Sequence, residues 1–178
     1  MKKILLVCMI AIVSACSPVT ISYDYDRQAD FSKYKTYAFS EDALNLQVDQ
    51  LNRDRILKAV ETEMAAKGFS KSDSPDVLID LQIKAKQEVE ATATNTGGMY
   101  GGRYGYGGGY GYGSTTHVNY NEYTVGSLFV NMVDKSTEKI VWQGRGSKTL
   151  DENATPTQRD TNINNGVKQI FTQYPPKK

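Results

Sequence analysis

Cysteine and histidine are scarce in this sequence, and their scarcity excludes several kinds of site. The 178 residues contain two cysteines and one histidine. A structural zinc site takes four ligands, mostly from these two residue types, so the counts exclude one. The single histidine, His117, would have to serve any Ser–His–Asp site, but no G-x-S-x-G segment accompanies it. We therefore expect His117 to be an exposed residue of a loop or strand edge.

Long hydrophobic runs and an excess of one charge are lacking as well. The run from Ile4 to Val13 has ten residues, whereas a membrane-spanning helix needs about 20. No later stretch is apolar enough to span a membrane. Without Lys2 and Lys3, 19 basic residues stand against 20 acidic ones, which gives a net charge of −1. Such a balance provides no electrostatic footprint for nucleic acid.

The amino-terminal segment predicts a lipid anchor. Two lysines followed by ten apolar residues are typical of a signal peptide. The tetrapeptide Val13-Ser14-Ala15-Cys16 resembles the lipobox of bacterial lipoproteins, whose cysteine receives a diacylglycerol thioether. We expect residues 1–15 to be removed and residues 16–178 to form one domain, which is lipidated at Cys16 and labelled by palmitate. The alternative is an ordinary secretory cleavage site followed by a free cysteine.

Lipidation would also decide where the protein lies and what stabilises it. Cys8 leaves with the signal peptide, so the mature chain has no free thiol and can form no disulfide. A chain of 163 residues is long enough to depend on a single core instead. The residue after the cysteine is Ser17. In many Gram-negative bacteria an aspartate at this position keeps a lipoprotein from being sorted to the outer membrane, whereas other residues favour that sorting. We therefore expect a lipid-anchored protein of the cell envelope, in the outer membrane, on either its periplasmic or its surface face.

Alternation of apolar and polar residues predicts five strands. They are residues 19–26, 34–39, 77–89, 120–133 and 140–147. In the fourth strand, Tyr123 and Val125 are out of phase with the apolar residues that follow Ser127. We expect a bulge at Gly126-Ser127 to reconcile the two phases.

Two amphipathic helices complete the predicted fold. One begins at Asp49 and ends at Gly68, and the other begins at the capping box Thr155-Pro156-Thr157-Gln158. Their apolar stripes consist of Ile56, Leu57, Val60 and Met64 in the first, and Ile163, Val167, Ile170, Phe171 and Tyr174 in the second. The order ββαβββα predicts an α+β two-layer sandwich, with both helices on one face of a mainly antiparallel sheet. The crossover around the first helix can make one strand pair parallel.

Carboxylates and the single tryptophan are the remaining candidates for chemistry. Asp24 and Asp26 share one face of a strand, with Asp30 nearby, and such oxygen ligands suit calcium. The simpler interpretation is the solvated side of an amphipathic strand. Trp142 could stack on a sugar or peptide, but its position between Val141 and Gln143 favours a place in the core.

The segment GGMYGGRYGYGGGYGYG, residues 97–113, has ten glycines and five tyrosines. It is not a nucleotide-binding loop, because it contains no G-x-G-x-x-G and the residues after it indicate a strand instead of a helix. Tyrosine and glycine together are typical of adaptable binding loops, and an arginine can stack on a ring. The candidate contact residues are Tyr100, Arg103, Tyr104, Tyr106, Tyr110 and Tyr112. The alternative is the drift of a low-complexity insert at a permissive hairpin tip.

Two segments resemble a known family. YDYDRQADFSKYKTYAF (23–39) is similar to its amino-terminal signature, and GSLFVNMVDKSTEKIVWQGRG (126–146) is similar to its carboxy-terminal hairpin. The family is the set of bacterial lipoproteins called domain of unknown function 4136. The resemblance implies the same fold and location. It implies no catalytic residue, substrate or cofactor.

Three functions follow from these observations. The first is a non-enzymatic, lipid-anchored envelope protein that binds a glycan, peptidoglycan, another envelope protein or a second copy of itself. The second is an enzyme that acts on envelope carbohydrate or peptide through surface carboxylates such as Asp24 and Asp26. The third is a purely structural envelope component. The sequence predicts no metal or cofactor for any of them.

Overall fold

The computed structural model describes residues 19–96 and 115–176. Within them lie six strands, three α-helices and one turn of 3-10 helix, Phe31–Lys33. The strands are β1 (Thr20–Tyr25), β2 (Thr36–Phe39), β3 (Ser70–Lys71), β4 (Val77–Thr96), β5 (Thr115–Asp134) and β6 (Lys139–Thr149). The helices are α1 (Glu41–Leu44), α2 (Gln50–Ala66) and α3 (Pro156–Phe171).

All six strands form one mixed sheet in the order β1-β6-β5-β4-β2-β3. Neighbouring strands are antiparallel except around β2, which is parallel to both β3 and β4. The helices between β2 and β4 make the crossover that this parallel pair requires. Helices α2 and α3 pack on each other, and α3 also packs on β6 and β1. The predicted α+β two-layer sandwich with one parallel crossover is therefore confirmed.

The structure adds elements to the predicted order and lengthens others. Five strands and two helices were expected, but the short strand β3 and the short helix α1 are present as well. Strands β4 and β5 are each 20 residues long, well beyond the predicted ends at 89 and 120. Their added ends, residues 90–96 and 115–119, consist mostly of Thr, Ala and Asn and contain one large apolar residue, Val118. Large apolar residues therefore do not mark these ends in the sequence, and cross-strand pairing extends the strands through them.

The predicted bulge at Gly126-Ser127 is wrong. The register is continuous there, with Gly126 opposite Lys148 and Ser127 opposite Ser147. The two apolar phases belong to two faces of one regular strand, because residues an odd number of positions apart point to opposite sides. The irregularity lies instead between Met132 and Val133, opposite Trp142 and Ile140. It leaves Val141 as an extra residue and allows Val141 and Trp142, consecutive in β6, both to be buried.

The predicted start of both helices and the predicted end of α2 are confirmed, whereas α3 ends at Phe171, so that Tyr174, expected on its stripe, lies beyond the helix. Asp49 caps α2 by accepting a hydrogen bond from the Asn52 backbone, and Gly68 follows this helix with φ +84°, a conformation that favours glycine. Thr155 and Gln158 form the expected capping box at α3. In the described residues no helix is both long and apolar enough to cross a membrane.

The core lies between the sheet and the helices, and Trp142 is at its centre. The indole is fully buried, with its ring centroid 5.8 Å from that of Phe171 and 5.5 Å from that of Tyr174. The core interpretation of Trp142 is therefore confirmed, and the ring is not a surface platform. Gly144 lies beneath this cluster, where an added Cβ would come within 2.5 Å of Ile170 Cγ2. Glycine thus lets α3 approach β6.

A methyl group at Gly144 should destabilise the fold. Gly144→Ala would force Ile170 and Trp142 to shift, at a cost of about 1–3 kcal/mol in the free energy of unfolding. Gly166→Ala in α3 is the matched control, because an added Cβ there meets nothing within 4 Å. It should stabilise the protein by about 0.5–1 kcal/mol through helix propensity. Urea denaturation followed by Trp142 fluorescence measures both, and equal effects of the two substitutions would contradict the packing argument.

Candidate functional site

The residues predicted to contact the membrane or a partner lie outside the described part of the chain. They are Cys16 and the signal peptide before it, together with Tyr100, Arg103, Tyr104, Tyr106, Tyr110 and Tyr112 of the 97–113 segment. The structure does place the two ends of that segment's hairpin, because Thr96 pairs with Thr115. The backbone of His117 lies in β5 opposite Thr94.

Asp24 and Asp26 occupy local roles at the end of β1. Asp24 is in the strand, and Asp26 lies one residue beyond its end, where its backbone still donates to the Val141 carbonyl. The Asp24 carboxylate accepts a hydrogen bond from the Tyr25 backbone and that of Asp26 accepts one from Gln28, each at 2.8 Å. Over residues 19–96 and 115–176, no three His, Cys, Asp or Glu side chains converge as metal ligands.

The strongest electrostatic cluster surrounds Asp134, at the turn between β5 and β6. Asp134 is 3% exposed. One carboxylate oxygen accepts hydrogen bonds from Lys33 Nζ at 2.9 Å and from the Tyr34 hydroxyl at 2.7 Å. The other accepts from the Ser136 hydroxyl at 2.6 Å and from the backbone N–H groups of Ser136 and Thr137. Five donors thus surround one carboxylate.

These donors fix the charge of Asp134 and its role. The hydrogen bond from Ser136, followed by those from Lys33 and Tyr34, holds the pKa of Asp134 far below its usual range. Burial and the bond to Asp134 raise the pKa of Tyr34 to about 12. A carboxylate with such a pKa and with both oxygens occupied cannot exchange a proton near neutral pH. The cluster therefore ties the β5–β6 turn to the segment before β2 and is not an acid–base pair.

The face of the sheet opposite the helices carries a second polar cluster. Asn131, 2% exposed, donates to Asp80 at 3.0 Å and accepts from Gln143 at 2.7 Å. These three residues lie side by side on β5, β4 and β6. Because each amide and carboxylate has a partner in the row, the cluster satisfies buried polar groups across the sheet.

Phe129 lies in the next row of the same face, between two cations. The Lys84 ammonium and the Arg145 guanidinium each lie 5.3 Å from the centre of its ring. The Arg145 side chain also donates to Ser147 at 3.1 Å. Cation–π contacts of this kind order the side chains on a solvated sheet face.

The longest projecting feature is the β4–β5 arm, which we define as residues 87–96 paired with residues 115–124. Pairing of β5 with β6 ends at Val125, and pairing of β4 with β2 ends at Ile79. The arm is therefore a two-stranded ribbon outside the rest of the sheet. Its ten paired rows correspond to a length of about 33 Å.

The two faces of the arm differ in chemistry. On the face that continues the core side of the sheet lie Val89, Ala91, Ala93, Val118 and Tyr120, which we call the apolar stripe. Three of its members are well exposed: Val89 at 59%, Val118 at 45% and Tyr120 at 70%. Glu122, opposite Val89, is on the same face at the base of the arm. The opposite face carries Glu88, Glu90, Thr92, Asn119 and Asn121. This surface was not predicted from the sequence, although the alternation in VEATA (89–93) was a signal for it.

A shallow depression of about 430 Å³ lies at the base of the arm. It is bounded by Glu122 and Thr124 of the arm and by Leu150 and Glu152 of the segment before α3. The Leu150 backbone donates to the Thr124 carbonyl at 2.8 Å. This bond holds the arm's base against the segment that leads into α3.

Removal of the Asp134 charge should destabilise the protein and reduce its acid sensitivity. Asp134→Asn leaves donors without acceptors and should cost about 2–4 kcal/mol at pH 7. Folding lowers the pKa of Asp134, so its stabilisation is complete above the unfolded-state pKa near 3.9 and is lost as pH falls below it. The free energy of unfolding should therefore decrease more steeply between about pH 5 and 2 in the wild type than in Asp134→Asn.

Tyr34→Phe is the control for this prediction. It removes one donor from Asp134, should cost only about 1 kcal/mol, and should retain the acid sensitivity because the carboxylate remains. Denaturation curves at several pH values measure both variants. Parallel pH profiles for the wild type and Asp134→Asn would contradict the assigned role.

Comparisons with known proteins give one structure of similar fold, a second match of lower score, and a family. A solved PDZ domain protein from Parabacteroides distasonis ATCC 8503 is similar in fold, with a TM-score of 0.53 and 19% identity; the match covers 91% of this chain and 36% of that one. The PelC dodecamer from Paraburkholderia phytofirmans gives a TM-score of 0.49 and 8% identity, covering 87% of this chain and 96% of that one. No functionally curated protein matches the sequence. The profile of domain of unknown function 4136 (DUF4136) matches residues 21–176, and the chain therefore belongs to the DUF4136 family.

Proposed function

We propose that this chain is a lipid-anchored protein of the bacterial cell envelope, in the outer membrane, that acts by binding and not by catalysis. The β4–β5 arm is its contact element and carries the 97–113 segment between its two strands. The observation that carries this proposal is the arm itself, which leaves the sheet with one apolar and one polar face. A ribbon of this kind presents surface without adding to the core.

The composition of the arm and of the segment that it carries supports binding. An apolar stripe in water costs free energy unless a partner covers it. The tyrosines between Thr96 and Thr115 supply amphipathic contact area, as they do in other adaptable binding surfaces. The hairpin places the two ends of the segment, Thr96 and Thr115, in one row at the far end of the arm.

The carboxylates favour binding over the alternative of an enzyme. Asp134 is fully engaged by donors, and Asp24 and Asp26 accept bonds from neighbouring backbone. A general acid or base needs a pKa near the working pH and a free position for the substrate proton. These three carboxylates are instead used to order turns and a strand end.

The lipid anchor is tested by labelling cells with a palmitate analogue. Cys16→Ala should abolish labelling and leave the signal peptide uncleaved, because the lipidated cysteine is the cleavage site. Cys8→Ala is the matched control and should label normally, since it changes the other cysteine of the same segment. Equal labelling of the two variants would overturn the anchor.

The contact element is tested by photo-crosslinking in cells. A photoreactive residue replacing Tyr106 should give one dominant adduct, which mass spectrometry identifies. The control position is Leu51 on α2, a residue that is 67% exposed on the body of the protein and should give none. The same adducts from both positions, or none from Tyr106 in a strain that tolerates deletion of 97–113, would contradict the proposal.

A further inference from the structure

The amino-terminal end of β1 and the β4–β5 arm lie at the same end of the sheet. Thr20, Ser147, Ser127 and Lys84 form one row across β1, β6, β5 and β4. Strands β1 and β5 run in the same direction. The path from Ser127 to Thr115 along β5 is therefore parallel to the path from Thr20 towards the amino terminus along β1. The amino-terminal end of β1 and the arm therefore point in the same direction along the strands of the sheet.

The arm extends farther than the anchor can. Four residue steps separate Thr20 from Cys16, and they span at most about 14 Å when fully extended. Twelve residue steps separate Ser127 from Thr115, and they span about 40 Å along the strand. The end of the arm thus lies about 25 Å beyond any position of Cys16 measured along the strands.

The greater reach of the arm constrains how the protein can lie on a membrane that holds Cys16. If acyl chains hold Cys16 at the bilayer surface, the sheet cannot stand upright on that end, because the arm would cross a whole leaflet of about 15 Å. The molecule must instead incline, and the smallest inclination that keeps the arm out of the bilayer interior lays it along the bilayer surface. One face of the arm then meets lipid and the other meets water.

The chemistry of the two faces decides which one meets lipid. Within the arm, the one carboxylate on the face of the apolar stripe is Glu122, opposite Val89 at the end of the stripe nearest the body, whereas Glu88 and Glu90 both lie on the other face. Burial of those carboxylates against acyl chains would cost far more than burial of the stripe. Tyr120, the most exposed member, has the amphipathic ring that favours the membrane–water interface.

We propose that the apolar stripe rests on the lipid surface of the bilayer that holds Cys16. This inference depends on the lipid anchor of the proposed function and names lipid as the stripe's partner. Five side chains, two of them alanine, are too few for a stable protein interface, which buries about 800 Å² on each partner. A lipid contact can be this small, because the anchor already supplies a high local concentration of bilayer.

The inference is tested with the lipidated protein in vesicles of phosphatidylethanolamine and phosphatidylglycerol that contain nitroxide-labelled lipid. The mature chain has no free thiol once Cys16 is lipidated, so Val118→Cys and Asn119→Cys each accept one NBD fluorophore. The two positions are adjacent in β5 and point to opposite faces. NBD at position 118 should be quenched at least about threefold more than at 119 and should emit further to the blue.

The outcomes distinguish failure of the proposed lipid contact of the stripe from failure of the proposed lipid anchor. Vesicle-bound protein with equal quenching at 118 and 119 would overturn the lipid contact and leave the anchor intact. Protein that does not float with the vesicles would overturn the anchor and the contact together. A disulfide between two copies of unlabelled Val118→Cys, without preferential quenching at 118, would overturn the contact in favour of a second copy. Fluorescence of Trp142, the only tryptophan, verifies that each variant is folded.

Discussion

The close approach of α3 to β6 is the constraint on which the rest of the fold depends. Gly144 and Gly146 present bare backbone to the helix, and Ile170 fills the space that their side chains would take. This contact sets the separation of the two layers. It also brings Phe171 and Tyr174 over the indole of Trp142, so that one buried ring is covered by residues at the end of a single helix.

Local signals in the sequence predicted the elements of the fold, whereas their pairing was not predictable from them. The capping box at Thr155 and the glycine at position 68 mark helix ends because each acts through atoms only a few residues away. Alternation predicted the strands for the same reason. The misplaced bulge shows the limit of alternation: apolar residues such as Tyr123 and Val125 occur on the outer face as well, and periodicity alone does not say which face is covered.

The candidate surfaces were less predictable than the fold. The turn chemistry of DKST at 134–137 indicates that Asp134 orders a turn, but Lys33 and Tyr34 reach it from 100 positions earlier in the chain. The arm was not predicted because its outer rows contain few large apolar residues, so that alternation marks them only weakly. Its position beside the amino-terminal end follows from the pairing of β1 with β6, which no local pattern in either strand encodes.

The pairing of the first strand with the last one also determines when the sheet can be completed. Thr20 lies opposite Ser147, 127 positions later, whereas the β4–β5 hairpin joins strands that are adjacent in the chain. Loop closure over so long a segment is slow compared with hairpin formation. Among the described strands β1 comes first in the chain, yet it can join the sheet only after β6, the last of them, is in place.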